Sequence, residues 1–107
     1  MRRRILNIDP RTTRIYSHPN EVIIAKCDCT NGNVSLTMPD ARGVENTELK
    51  VVKTDATANT VTLAGINNQT INGSITLVIS GQWSAAAIES DGQNWIASLS
   101  DKHALFA

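Results

Sequence analysis

The residues best equipped for chemistry are few and poorly grouped. Cys27 and Cys29 stand two positions apart, and His18 and His103 lie near opposite ends of the 107-residue chain. On a strand, alternate residues point to one face and are too close along the chain for an unstrained disulfide. One C-x-C pair without a second ligand pair does not make a zinc site. Both thiols are therefore expected to be free. Neither histidine has an acid and a nucleophile nearby in sequence, so both read as surface or interface residues. Asp28, Asp40, Asp55 and Asp91 all fall in turn-like segments, where a carboxylate ordinarily bonds its own backbone. Asp28 and Asn31 offer oxygens to calcium, but the glutamate that closes a calcium loop is missing. The chain holds no nucleophile elbow, metalloprotease helix motif, phosphate-binding loop or dinucleotide fingerprint. No carboxylate pair is evidently set for glycoside hydrolysis. We expect no catalytic residue, no metal, no cofactor and no enzyme.

The basic residues are a better lead. Arg2, Arg3, Arg4, Arg11, Arg14 and Lys26 are six of the ten basic side chains, and only Asp9 and Glu21 accompany them in residues 1–26. That segment carries +4 within a chain whose net charge is zero. Asp9-Pro10 and His18-Pro19-Asn20 break any period. Residues 1–20 are thus expected to form an extended basic arm, with one short strand near Arg14–Tyr16. Such an arm serves as a solubilising tail or docks on an acidic protein surface. Nucleic acid fits least, because Arg2-Arg3-Arg4 is short and no aromatics interleave with it.

Residues 21–107 must supply the body that positions this arm. Val22-Ile23-Ile24-Ala25-Lys26-Cys27 is rich in β-branched residues. Val34, Leu36 and Met38 alternate with Asn33, Ser35 and Thr37, the pattern of a half-buried strand. Glu48–Thr54 and Thr60–Ala64 flank the polar turn at Asp55–Asn59 and are expected to pair as a hairpin. Asn72-Gly73 and Asp91-Gly92 are tight-turn signals. Ile75, Leu77 and Ile79 share one face of a further strand, and Trp95, Ala97 and Leu99 share another. Ala85–Ile88 could be helical by propensity, but its β-rich neighbours argue for strand. About seven short strands at such spacing predict a single antiparallel β-sandwich, jelly-roll-like, preceded by the arm.

The bulk numbers agree with one small domain. The chain is 41% hydrophobic and 19% charged, which suits a globular unit with a modest core. Only Tyr16, Trp83, Trp95 and Phe106 are aromatic, so aliphatic side chains must fill the interior. Both tryptophans are expected in the core or at an oligomer axis. No apolar run is long enough for a membrane span, and Ile5–Pro10 is too short and polar for a signal peptide. The glycosylation triplets beginning at Asn33, Asn68 and Asn72 are therefore read as accidental.

The order of motifs from residue 33 to 99 is familiar. It runs through Val34-Ser35-Leu36-Thr37-Met38-Pro39-Asp40-Ala41, then Leu49-Lys50-Val51-Val52-Lys53-Thr54-Asp55, then Ala58-Asn59-Thr60-Val61-Thr62-Leu63. Thr70-Ile71-Asn72-Gly73 and Ser90-Asp91-Gly92-Gln93-Asn94-Trp95 complete it. This resembles a β-module recurring in virion proteins of tailed bacteriophages, among them tail fibres, baseplate proteins and head-decoration (cement) proteins. The resemblance covers roughly two thirds of the chain and rests on turn motifs that other sandwiches can share. It implies a non-enzymatic homotrimer, assembled in the host cytoplasm into the virion. A free-standing module with a basic arm looks most like a cement protein docked on the major capsid protein. Arg2, Arg3, Arg4, Arg11 and Arg14, with Tyr16, would meet that partner, and Leu105 and Phe106 of the apolar tail would bury against a neighbour. A tail-fibre or baseplate module binding the host surface is the alternative, with Asn67-Asn68-Gln69 and a tryptophan as its sugar platform. Neither nucleic acid nor membrane is an expected partner.

Overall fold

Alternating β-branched and polar residues make strands wherever one side can be buried, and the described residues form eight of them. The computed structural model describes residues 2–44 and 46–100, with the side chain of Arg2 left out. The strands are β1 (Arg2–Ile8), β2 (Glu21–Cys27), β3 (Val34–Thr37), β4 (Glu48–Lys53), β5 (Val61–Ala64), β6 (Thr76–Ile79), β7 (Ala85–Ser90) and β8 (Trp95–Ser100). No helix occurs among the described residues. One sheet has the order β1-β2-β4-β7-β8 and the other β3-β5-β6. Inward residues of both sheets join one core that includes Ile23, Val51 and Ile88 on one side and Leu36 and Leu63 on the other. The radius of gyration, 12.8 Å, is that of about 100 residues packed as one unit.

Strand direction departs from expectation. β1, β2 and β4 run parallel, as do β3 and β5. Antiparallel pairing is confined to β4–β7, β7–β8 and β5–β6. The expected hairpin of residues 48–54 with 60–64 is therefore absent: β4 and β5 belong to different sheets. The chain instead alternates between sheets, β2 to β3 to β4 to β5, so each crossover to a parallel neighbour is made by a strand of the opposite sheet. Side-chain alternation reports which face is buried and carries no information about strand direction, so the sequence pattern fits either pairing. The Asp91-Gly92 hairpin joins β7 and β8 as expected. At Asn72-Gly73 both residues have positive φ, 53° and 83°, and Ile71 pairs with Ser74 across the turn.

β2–β3 and β4–β5 stack as parallel rungs, the second and third, and the described part of the expected arm, β1 with the Arg14 bridge, is the first. β1 pairs with β2 along its whole length, from Arg2 opposite Glu21 to Ile8 opposite Cys27. After the turn at Asp9–Thr12 the chain crosses to the small sheet, where Arg14 bridges Thr37. Ile8 and Ile15 are buried in the common core. Burying two such side chains contributes about 1.5–3 kcal/mol each, which a free arm would forgo.

Candidate functional site

The arginines expected to meet a partner divide into two groups. Arg4 points inward from β1, and its Nη2 lies 3.1 Å from Oε1 of Glu21, a carboxylate that is almost wholly buried. The same nitrogen donates to the carbonyl of Tyr16 at 2.7 Å. Glu21 also accepts from the His18 amide at 2.9 Å. Arg4 thus closes the first rung. Arg11 pairs with Asp9 across an exposed turn at 2.9 Å. Arg3 and Arg14 are exposed and join no ion pair among the described residues. Arg14 lies over the ring of Tyr16, 5.0 Å from its centroid, and Tyr16 is 67% exposed. The backbone of Arg2 belongs to β1. Leu105 and Phe106 lie outside the described residues.

The familiar motifs come together as two polar knots that hold the sheets. In the first, Nζ of the fully buried Lys53 donates to Oδ2 of Asp55 at 2.9 Å, to the Asp55 carbonyl at 2.9 Å and to the Thr57 carbonyl at 2.8 Å. Asp55 accepts in turn from the Cys29 amide at 2.7 Å and from the amide and hydroxyl of Thr57. Burial would raise the pKa of Asp55, but the bonds from Thr57, Cys29 and Lys53 outweigh it and hold the carboxyl below its usual range. Asn59 donates to the Cys29 carbonyl at 2.8 Å, so the third rung clasps the second.

In the second knot, the indole N–H of buried Trp95 donates to the Pro39 carbonyl at 3.1 Å. Ser90 donates to the Ala41 carbonyl. Gln69 accepts from the Ala41 amide at 2.9 Å and donates to Asp40 at 2.6 Å. Hydrogen bonds from Arg42 first, and then Gln69, hold the Asp40 carboxyl below its usual range. Both aspartates bond their own turns as expected, Asp40 through the Arg42 amide and Asp55 through the Thr57 amide; their additional partners Gln69 and Cys29 have no signature at short spacing.

Cys27 and Cys29 are free and buried, as expected. Burial, then the neighbouring Cys29 and Asp55, push the Cys27 thiol up to about 12. Burial also raises the Cys29 thiol. No group of three or more His, Cys, Asp or Glu side chains is placed to hold a metal ion among the described residues. Trp95 is core, whereas Trp83 is 40% exposed in the β6–β7 turn at a φ of 66°.

The exposed apolar residues are unevenly guarded. Val78 on β6 and Leu99 on β8, both more than half exposed, line a shallow recess of about 270 Å³ between the two sheet edges. Nearer the start of β8 its outer edge is protected at Trp95 and Ala97. The Trp95 amide donates to Thr70, the Asn72 amide to Trp95, and the Asn72 carboxamide pairs with both backbone groups of Ala97. At the opposite end, β1 offers seven residues whose outer edge is paired with no described residue. There Leu6, Ile8, Ile15 and Tyr16 line a recess of about 210 Å³ together with Arg4 and Arg14. A cleft of about 470 Å³ is polar and lined by Asn20, Asn46, Thr47, Glu48, Glu89 and Ser90. Comparison with protein-family models, curated proteins and solved structures finds no match to this chain.

Proposed function

We propose that this chain is a structural protein of a bacteriophage virion, a capsid decoration protein that trimerises and docks on the major capsid protein. The observation that supports it most is where the polar side chains of the familiar motifs go. Asp55, Ser90 and Trp95 each bond a distant part of the fold, which is the work of a scaffold. Exposed apolar residues lie at both ends of the stack, Ile5 and Tyr16 at one and Val78, Ile96 and Leu99 at the other, where a neighbour or a capsid subunit can cover them. Many weak contacts of this kind add up when a lattice presents many copies. The reading assigns the chain no catalytic role and places it in the virion, after assembly in the host cytoplasm.

A second reading is a tail-fibre or baseplate module that binds host-surface glycan. The polar cleft with Glu48 and Glu89 favours it, because carboxylates and amides are good partners for sugar hydroxyls. Binding of the purified protein to empty capsids separates the two. Truncation of residues 1–20 is a poor variant for this, since it removes β1, Ile8 and Ile15. The double substitution Arg3→Glu, Arg14→Glu alters only exposed groups. Stoichiometric binding to capsids upholds the decoration reading. Indifference to capsids with binding to host cells or tails replaces it with the second.

A further inference from the structure

Four observations meet at the β1 end. No described residue pairs with the outer edge of β1 along its seven residues, whereas the outer edge of β8 is capped at Trp95 and Ala97 by Thr70 and Asn72. An uncapped strand edge is a template for another strand. Ile5 on the outer face of β1 is 56% exposed and Tyr16 is 67% exposed. Between β1 and the Arg14–Tyr16 segment lies the apolar recess that Leu6, Ile8 and Ile15 floor. Arg3 and Arg14, one on each side of this end, have no carboxylate partner among the described residues.

We infer that the β1 end is a β-augmentation site for an acidic, extended segment of a partner protein. The added strand pairs its backbone with β1, sets an apolar side chain into the recess, and meets Arg3 and Arg14 with carboxylates. A second copy pairing β1 against β1 fits worse, because β1 brings arginines and no carboxylate of its own to an end that already carries Arg3 and Arg14. Main-chain bonds supply affinity in such complexes, and the arginines supply sign selectivity and rate of encounter. That the partner is the major capsid protein rests on the decoration reading; the surface itself does not.

The test uses the full-length protein and three blocked seven-residue peptides as probes. One alternates valine with glutamate, one alternates valine with lysine, and one is the acidic peptide with prolines in place of the central valines. Backbone amide spectra and hydrogen exchange report where each binds. The acidic peptide should shift Arg3–Asn7 and Thr13–Tyr16 and slow exchange in β1 by tenfold or more. The lysine and proline peptides should do neither. Arg3→Glu, Arg14→Glu should weaken the acidic peptide about tenfold, and raised salt should weaken it too. Failure to bind at millimolar peptide, binding that maps to β6–β8, equal binding of the proline peptide, or self-association through β1 would each overturn the inference. Peptide capture at β1 without capsid binding keeps the site and removes the decoration reading. Capsid binding unchanged by the arginine reversals keeps the decoration reading and removes this site from it.

Discussion

The carboxamide of Asn72 behaves as a strand residue toward Ala97. Its Oδ1 accepts from the Ala97 amide at 2.9 Å and its Nδ2 donates to the Ala97 carbonyl at 2.9 Å. Asn72 itself sits at a φ of 53° in the turn that sets it beside β8. Asparagine suits this position twice over, tolerating left-handed backbone and presenting a donor and an acceptor side by side. The result is a sheet edge covered by a side chain, one of the ways β-proteins resist edge-to-edge association.

Asn72→Gly should keep the turn and lose the cap. Two solvent-exposed hydrogen bonds at the low end of their usual value give a destabilisation of about 1 kcal/mol. Urea unfolding measures that. The sharper readout is concentration-dependent association through β8, seen by light scattering, with the wild-type chain unaffected at the same concentration. A variant that loses stability but shows no new association would mean that the carboxamide is a turn anchor only.

The Lys53–Asp55 pair should be asymmetric to mutation. Asp55→Ala leaves the fully buried ammonium of Lys53 with backbone carbonyls alone, and removing one partner of a buried pair costs roughly 3–5 kcal/mol. That is a large share of the stability of a domain this small. Lys53→Met fills the same channel with an apolar chain while Asp55 keeps its bonds from Cys29 and Thr57, so it should cost less. Equal losses in denaturant midpoint for the two variants would contradict this account.

The same knot shows where the sequence was legible and where it was not. Val34, Leu36 and Met38 alternate cleanly and all are buried, and the β7–β8 hairpin lies where Asp91-Gly92 placed it. Lys53 occupies the inward parity of Leu49 and Val51, so a charged residue stands where an apolar one is expected. Asp55 follows it in what reads as a hairpin turn, yet its partner Cys29 is on the neighbouring rung. β1 was hidden for a related reason. Arg4 points inward to Glu21 and Ile5 points outward, which inverts the usual pattern over the middle of the strand. The open β1 edge is a property of strand order, and strand order depends on pairings between residues far apart in the chain.

Acid should weaken the fold through these carboxylates. Asp55 titrates below its usual range in the folded state because Thr57, Cys29 and Lys53 bond its charged form against the opposing effect of burial. A depressed carboxyl contributes stability that is fully present above its unfolded pKa, about 3.9, and is lost as pH falls through the folded value. Asp40, held down by Arg42 and Gln69, acts with the same sign but is solvent-screened and should contribute less. The urea midpoint should therefore be flat from about pH 7 to pH 5 and fall steeply below about pH 4. In Asp55→Asn the midpoint should start lower and the acid limb should be shallower. A limb of wild-type steepness in that variant would assign the acid transition to other groups.

The arginines of the first rung should separate by what they touch. Arg4→Leu leaves the Glu21 carboxylate buried without its cation, which should cost roughly 2 kcal/mol given that Arg4 is partly exposed. Arg3→Ala and Arg14→Ala remove only exposed groups and should stay within about 0.5 kcal/mol of wild type. Thermal unfolding distinguishes them. If Arg3→Ala destabilised as much as Arg4→Leu, the division between fold-building and free arginines would be wrong.

The cysteines should report opening of the core. Cys27 is fully buried with a thiol pushed up to about 12 by burial and by the nearby Cys29 and Asp55, so almost no thiolate exists near pH 8. Cys29 is also buried, and its Sγ faces the Thr60 carbonyl at 3.7 Å. In native protein both should resist an aromatic disulfide reagent, and both should react at once in denaturant. Under native conditions the slow labelling rate should then follow the opening equilibrium of the second and third rungs. Asp55→Ala should accelerate it at both positions, because the Asp55 carboxylate holds the Cys29 amide and anchors the Lys53 ammonium between those rungs. Fast labelling of the wild-type chain without denaturant would show that the rungs separate far more readily than their shared hydrogen bonds imply.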